Sequence, residues 1–346
     1  MPEPSAHVVH GRLLTPATAA GAVAAIRLSA GEPADLDSML EACCPTRRRH
    51  LSVGEVRLAD LAGVDRGLIA RWSDTVVDLF PHGGAYVVRA LLDALEARGV
   101  VLSGDATQTP WDARQPAARD ELEAQMLDVL ARAASPRATD VLLRTLDAWR
   151  SHAPVGSDAW RHAAPTKCDT ILARLIDPPL VVLLGAPNIG KSTLLNALAR
   201  RAVSMVDATP GSTRDHVGVL LELDGIVVRC VDTPGIRTTS DAIEREAQQI
   251  ARSLATRADL IVLCGDQAHP PVPDHELPDS AGVSCVCVAL RADLGAAAWP
   301  HECRVSAAQG QGIDVLARHI RQALVPDEVL ADATAASPQP WRFWAS

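Results

Sequence analysis

The sequence predicts a multidomain α/β protein with an N-terminal α+β module, a short helical region and a doubly wound α/β domain. Residues 1–118 mix short alternating runs with one clear helix, residues 119–177 have a helical period, and residues 178–325 alternate continuous apolar runs with helical segments. Residues 326–346 are predicted to form a tail. The chain has 346 residues and 48% hydrophobic content, which is enough to bury a core in each part.

The first two parts are predicted from helical periodicity. In AYVVRALLDALEAR (85–98), apolar side chains recur at a period of 3.6, as expected for one face of a helix. Two further helical patterns, around 122–130 and 141–146, are separated by a break at Ser135 and Pro136. We therefore expect the short helical region to contain at least two helices.

The third part is predicted from its strands. The runs LVVLLG, IVVRCVD, DLIVLCG and VSCVCVAL are continuously apolar, and helical segments separate them. This pattern is typical of a mostly parallel sheet that is covered on both faces. The tail lacks a sustained period and ends in Trp341, Phe343 and Trp344, so we expect it to be mobile or docked as a patch.

Composition excludes several classes of protein. A formal charge of −9 argues against non-specific wrapping around nucleic acid. No apolar run reaches the ~20 residues of a membrane span, and the N-terminus lacks the layout of a signal peptide, so we expect a cytoplasmic protein without a membrane partner. The eight cysteines lack the paired spacing of a zinc site, and we expect them to be reduced core thiols.

The stretch GAPNIGKST (185–193) contains one of only two lysines and one of only two asparagines in the chain. It fits G-x-x-x-x-G-K-[ST], follows an apolar strand and opens a helical pattern, which is the context that a phosphate loop requires. In such a loop, backbone N–H groups and the helix N-terminus face the phosphates. We expect Lys191 to reach the β- and γ-phosphates and the Ser192 hydroxyl to bind Mg²⁺.

A second acid for the metal follows along the chain. DTPG comes at the end of the next-but-one predicted strand, where Asp232 is expected to hold Mg²⁺ and the Gly235 N–H to sense the γ-phosphate. Between the two motifs lies TPGSTRD, whose Thr213 is expected to close over the metal as a switch loop. A terminal SAAQGQG begins at Ser306. This order indicates a nucleotide-binding switch domain.

The base motif leaves two alternatives open. GTP-selective domains usually carry N-K-x-D here, but this chain reads LRAD, with Leu290, Arg291 and Asp293. The aspartate can accept from guanine and has no good partner on adenine, whereas the asparagine contact is lost. Guanine selectivity is favoured over relaxed specificity. The candidate nucleotide-binding residues are Asn188, Gly190, Lys191, Ser192, Thr193, Asp232, Gly235, Arg291, Asp293, Ser306 and Ala307.

The hydrolytic group is not evident from these motifs. In many small GTPases a glutamine after D-x-x-G positions the attacking water, but this chain has Ile236 there. An apolar side chain cannot orient water. Either hydrolysis is feeble or another group orients the water.

Residues 206–246 closely resemble the G domain of the MnmE (TrmE) family of tRNA-modification GTPases. The resemblance implies a doubly wound P-loop GTPase domain that hydrolyses GTP with the aid of K⁺. It assigns K⁺ to Asn188 and makes Glu244 the catalytic residue that orients water, alongside Lys191. A helical glutamate close to another, Glu246, is by itself more typical of a solvated surface.

The resemblance extends to the N-terminal module. Residues 15–31 are similar to the family's A-T-P-P-G…R-x-S-G segment, and residues 81–100 to its H-G-G stretch. In the family this module binds a folate and dimerises, and the resemblance therefore implies a tetrahydrofolate site at Arg27 and His82 and a homodimer. The family's R-P-G-E-F stretch appears here only as LSGDATQTPWDARQ. The alternative is that the glycines after His82 only shape a turn.

The resemblance leaves two functions open. The family ends with a helical half-domain and a C-terminal cysteine motif, whereas the last cysteine here is Cys303. One hypothesis is a GTPase in wobble-uridine modification, with tRNA and a modification partner protein. The other is a slow or non-hydrolysing GTP-dependent regulatory switch. A ribosome-assembly GTPase is disfavoured, since neither flank shows a basic G-x-x-G RNA loop.

Overall fold

The computed structural model describes residues 8–15, 22–44, 50–102, 111–152, 158–201, 218–233, 253–271, 283–334 and 340–345. These residues fall into two compact units, one before Asp128 and one from Asp128 onward. Each unit has its own six-stranded sheet.

The first unit is an α+β module. Its strands are β1 (Val9–Leu13), β2 (Ile26–Ala30), β3 (Val56–Leu61), β4 (Asp65–Ser73), β5 (Val76–Phe80) and β6 (Val101–Leu102). Its helices include α1 (Pro33–Cys43), α2 (Ala85–Glu96) and the short α3 (Trp111–Arg114). The sheet order is β3-β4-β5-β2-β1-β6, antiparallel except for the β1–β6 pair.

The core of the first unit lies between its sheet and its two longer helices. Ile26 and Leu28 on β2 are fully buried, as are Leu36 on α1 and Leu91 and Leu95 on α2. The residues on α2 are four apart, so they lie one above the other on the same face of the helix. This explains why the apolar residues of α2 recur in the sequence at the period of a helix.

The helical region begins with α4 (Glu121–Arg132), which contains the point of division between the units. It continues with α5 (Pro136–His152) and α6 (Lys167–Leu172). Proline at the first position of α5 is expected, because its missing N–H would be unpaired there. At the start of α6, Thr166 and Asp169 form a capping box.

The second sheet has the doubly wound topology that the sequence predicts. Its order is β12-β11-β10-β7-β9-β8, and every neighbouring pair is parallel except β8–β9. The strands are β7 (Leu180–Gly185), β8 (Val219–Leu223), β9 (Ile226–Asp232), β10 (Leu260–Gly265), β11 (Ser284–Ala289) and β12 (Cys303–Arg304). Two helices of this domain are α7 (Lys191–Arg201) and α8 (Ile313–Leu324). The predicted fold class is therefore confirmed.

The turn between β8 and β9 is anchored to the helices of the second unit. Asp224 and Gly225 both have positive φ, as the type I′ turn of a two-residue hairpin requires. The Arg137 N–H donates to the Gly225 carbonyl at 3.1 Å. The Asp224 carboxylate accepts from Arg321 Nε on α8 at 2.9 Å. This clamp joins the hairpin to α5 and α8.

The chain after α8 is ordered where it is described. It forms α9 (Asp327–Thr334), and residues 340–345 then pack on the helical region. Trp341 and Phe343 are buried, and the Trp149 indole N–H donates to the Trp341 carbonyl at 2.8 Å. We call Trp149, Trp160, Trp341, Phe343 and Trp344 the aromatic cluster. Of the two expectations for the tail, residues 340–345 follow the docked one.

Candidate nucleotide site

The phosphate loop joins β7 to α7 and packs closely on the neighbouring strand. A Cβ on Gly185 would lie 2.3 Å from the carbonyl oxygen of Cys264, so only glycine fits at the start of the loop. Asn188 has a φ of +60° and Gly190 a φ of +107°. Asparagine tolerates the left-handed region better than most residues do. The loop therefore curls with the exposed Asn188 side chain at its turn.

Lys191 begins α7 with a buried side chain. Its ammonium donates to the carbonyl oxygens of Gly185 and Ala186, at 3.2 and 3.0 Å. Burial lowers the pKa of Lys191 below its ordinary value of 10.5, and the Asp232 carboxylate and the Cys264 thiol partly offset this. The charge is thus held over the curled backbone, where a phosphate would be its natural partner.

A hydroxyl and a carboxylate meet beside the loop. The Ser192 hydroxyl donates to Asp232 Oδ2 at 2.5 Å. The other carboxylate oxygen, Oδ1, is buried and has no hydrogen-bond partner among the described residues. The next residue, Thr233, fixes this end of β9 by donating to the Leu183 carbonyl at 2.7 Å.

This donor set fits Mg²⁺. The ion takes oxygen ligands and is usually bound by one or two carboxylates together with substrate phosphates. A serine hydroxyl, one carboxylate and an unpartnered buried oxygen match that pattern. Within the described residues, no cluster of three or more His, Cys, Asp or Glu side chains forms an all-protein metal site.

The base motif follows β11. The Leu290 side chain is buried in the core, and being apolar it offers no hydrogen bond to a base. Arg291 has a φ of +54°, and its guanidinium donates to the Asn188 carbonyl and to Asp266. Asp293 is exposed two residues further on. The structure therefore brings the base motif against the phosphate loop through Arg291.

The remaining predicted residues of this domain are placed as follows. Ser306 is fully buried, and its hydroxyl oxygen accepts from the Gln309 N–H at 3.3 Å. Ala307 is half-buried beside it, and Thr193 is exposed on α7. Three predicted site residues lie outside the described residues, namely Thr213, Gly235 and Glu244.

Asp266 is a polar residue of this site that the sequence patterns did not single out. It follows β10 directly and is 2% exposed. Burial alone would raise the pKa of Asp266, but the N–H groups of His269 and Ala268 and the His269 ring lower it below its ordinary value. The available signal was its place, since carboxyl ends of parallel strands carry binding residues in open α/β sheets.

In the N-terminal unit, Arg27 and His82 bond to different carboxylates. Arg27 on β2 makes two hydrogen bonds of 2.7 Å to Asp78, opposite it on β5. His82 contacts Asp65 through its ring, at 3.0 Å, and through its backbone N–H, at 2.8 Å. The structure thus does not place the two predicted residues in one hydrogen-bonded cluster.

A cavity lies on the Arg27 side of this unit. It is open to solvent and is lined by His10, Gly11, Arg12, Leu14, Arg27, Ser29, Ala113 and Arg114. Arg12 stands directly opposite Arg27 in the β1–β2 ladder. Arg27 is already paired with Asp78, so Arg12 is the guanidinium that would favour an anion in the cavity.

No helix in the described part of the chain has the length and apolar character needed to cross a bilayer.

Comparison with known proteins places the second sheet in a GTPase family. Residues 180–285 match the family described as 50S ribosome-binding GTPase. The tRNA modification GTPase MnmE of Acidiphilium cryptum is 33% identical over 364 residues, which cover 92% of this chain and 82% of that protein. MnmE of Methylobacterium radiotolerans is 32% identical over 367 residues, covering 90% and 81%.

Among solved structures, the G domain of FeoB from Methanococcus jannaschii is similar to part of the chain. The sequence identity is 24%, and the match covers 42% of this chain and 98% of that one. The TM-score of 0.32 is too low to support a functional inference.

Proposed function

Since the chain belongs to the MnmE family of tRNA modification GTPases and hydrolyses GTP, we propose that K⁺ assists this hydrolysis and that it serves wobble-uridine modification of tRNA. The observation that carries the proposal is the phosphate loop. Its Asn188 is exposed at the turn, next to the buried Lys191. GTP and Mg²⁺ are the ligands that the family implies.

Asn188 supports the part of the proposal that concerns K⁺. A carboxamide oxygen is a ligand of the kind that hard cations take. Its backbone is held in the left-handed conformation, and its carbonyl accepts from Arg291, so the side chain projects from a fixed loop. A bound K⁺ would supply positive charge against the charge that develops on the phosphates during hydrolysis.

The other residues of the site have complementary roles in the proposal. Lys191 pairs with the β- and γ-phosphates, and Ser192 and Asp232 hold Mg²⁺, with Thr213 as a further ligand. Asp293 accepts from the guanine N1 and N2 hydrogens. Glu244 orients the attacking water, as the family resemblance implies, because Ile236 cannot.

A folate site in the N-terminal unit is a further part of the proposal. Tetrahydrofolates carry carboxylates, and the cavity beside Arg27 has arginines at Arg12 and Arg27. Titration with 5-formyltetrahydrofolate checks this. Arg27→Ala should weaken binding about 10-fold or more, and Arg89→Ala, an exposed control on α2, should not. If Arg27→Ala binds the folate as tightly as Arg89→Ala does, the proposed folate site is wrong.

The proposal includes a homodimer in the cytoplasm that works with a partner protein of tRNA modification. In the family the N-terminal module dimerises, and that module is present here as the first unit. Light scattering of the purified full chain checks the dimer, and a monomer at micromolar concentration would contradict it. Affinity capture from cells, with Lys191→Ala as the GTP-binding-deficient variant, checks for a nucleotide-dependent partner.

The direct test of the tRNA function uses the chain's two lysines. Cells lacking the gene would be supplied with the wild-type chain, with Lys191→Ala or with Lys167→Ala. Lys167 is exposed on α6 and is the matched control. Mass spectrometry of wobble nucleosides should show the modified uridine with the wild type and Lys167→Ala, and its loss with Lys191→Ala. Identical nucleoside profiles with and without the gene would refute the tRNA function.

A further inference from the structure

The buried carboxylate of Asp266 accepts several hydrogen bonds beside the base motif. Its Oδ1 accepts from the N–H groups of Ala268 and His269, at 2.9 and 2.8 Å, and contacts the His269 ring nitrogen at 3.1 Å. Its Oδ2 pairs with Arg291 Nη1 at 3.3 Å. The carboxylate is therefore shared between its own turn and an arginine on the next loop.

Arg291 connects the Asp266 carboxylate to the phosphate loop. One arm of its guanidinium binds Asp266, and the other donates to the backbone carbonyl of Asn188. The side chain is still 42% exposed. An arginine fork can satisfy a carboxylate and a carbonyl together, whereas a lysine ammonium is a single point charge. GTP-selective domains usually have lysine at this position, and a lysine could not make both contacts at once in this way.

We propose that Asp266 is a positioning residue for GTP binding, because it holds Arg291 against the Asn188 carbonyl so that the exposed face of the guanidinium covers the guanine. Arginine stacks on planar rings through that face. This contact would add to base binding at a motif in which the apolar Leu290 offers no hydrogen bond. The inference rests on GTP hydrolysis and does not depend on K⁺ or tRNA.

The competing explanation is that Asp266 only caps its own turn. The variant Asp266→Asn distinguishes the two explanations. An asparagine amide oxygen can still accept from the Ala268 and His269 N–H groups, so the turn is kept. The charge-assisted pair with Arg291 is lost. A role confined to the turn predicts no change in nucleotide affinity.

The test is a double-mutant cycle with Asp266→Asn and Arg291→Gln in the full chain. The readouts are affinity for a fluorescent GTP analogue, and kcat and KM for GTP. Each single variant should weaken affinity about 10-fold, with a larger effect on KM than on kcat. The double variant should be no more than about 2-fold weaker than either single variant, because both break the same bridge.

Asp259→Asn is the matched control. Asp259 also pairs with an arginine, Arg174, at 3.4 Å, and also accepts a backbone N–H, from Leu180. It should leave affinity for the analogue unchanged. The proposal is overturned if Asp266→Asn binds the analogue like the wild type, or if the two single effects multiply in the double variant.

Discussion

The residue that orients the attacking water is the central question at the scale of single side chains. Ile236 follows D-x-x-G and cannot do it, and Glu244 is the candidate that the family resemblance supplies. Glu244→Gln should leave GTP affinity nearly intact and lower kcat ~10-fold or more, because an amide is a poor proton acceptor. Single-turnover hydrolysis and fluorescent-nucleotide binding measure the two quantities.

Glu246→Gln is the control for this prediction. It removes the same charge two residues further along the chain, so it matches any general effect of charge. Its kcat should stay within about 2-fold of the wild type. If kcat falls equally in the two variants, Glu244 is not the residue that orients the attacking water.

Lys191, Ser192 and Asp232 could be proposed from the sequence because each of them belongs to a contiguous motif. Ser192 and Asp232 are 40 residues apart in the chain, and they meet because Asp232 ends β9, which pairs with β7. Asp266 was not proposed because it belongs to no recognised motif, and its partner, Arg291, lies on another loop. A single carboxylate after an apolar strand does not by itself indicate a binding residue, because its neighbours are unknown until the order of the strands in the sheet is known.

At the scale of elements, the clamp on the β8–β9 turn should contribute to stability. Arg321 is nearly buried and binds Asp224 at 2.9 Å and Asp327 at 2.6 Å. Arg321→Gln should lower the free energy of unfolding by roughly 2 kcal/mol, because it takes from the partly buried Asp224 the closer of its two arginine partners. Urea denaturation of the full chain measures this.

An exposed pair in the same domain is the control for the clamp. Arg201 and Asp314 form an ion pair between α7 and α8, and both side chains are more than half exposed. Arg201→Gln should change the free energy of unfolding by less than about 1 kcal/mol. If the two variants lose the same stability, the burial of Arg321 does not stabilise the hairpin.

The stability of the first unit should depend on pH through Asp65, at the start of β4, and His82, after β5. Burial alone would raise the pKa of Asp65, but the His82 N–H and ring lower it more, to below its ordinary value of 3.8. A carboxyl whose pKa is depressed by folding contributes stability above its unfolded pKa. That contribution should be present above about pH 4 and lost as pH falls through the folded pKa.

Asp65→Asn tests this contribution by removing the titrating group. Urea denaturation between pH 3 and 7 should show a less stable variant at pH 7, and a shallower loss of stability below about pH 4 than in the wild type. Asp93→Asn, on the exposed face of α2, is the control and should follow the wild-type curve. Parallel curves for the wild type and Asp65→Asn would contradict the prediction.

The elements were predictable to the extent that their apolar pattern is local. The four continuous apolar runs became β7, β9, β10 and β11. The edge strand β8 was implied only by the place of DTPG, and β12 and α9 were missed. The two-residue strand β12 is too short to show a period, and α9 packs against α5 through contacts that only the folded chain provides.

The whole molecule combines two units with separate cores, and the nucleotide site belongs entirely to the second. Docking of residues 340–345 also stays within that unit, since the aromatic cluster joins them to α5. Tertiary packing decided between the mobile and the docked tail, because buried Trp341 and Phe343 each contribute roughly 1.5–3 kcal/mol. Composition alone could not decide it.

The central claim for the whole molecule is that Asn188 makes GTP hydrolysis dependent on K⁺. The most direct measurement is steady-state hydrolysis in KCl and in NaCl at matched ionic strength, for the wild type and for Asn188→Ala. K⁺ should accelerate the wild type about 10-fold or more, since a fixed positive charge at the phosphates has effects of at least this size. The variant should hydrolyse GTP equally slowly in both salts. Equal rates for the wild type in KCl and NaCl, or full stimulation by K⁺ in the variant, would contradict the claim.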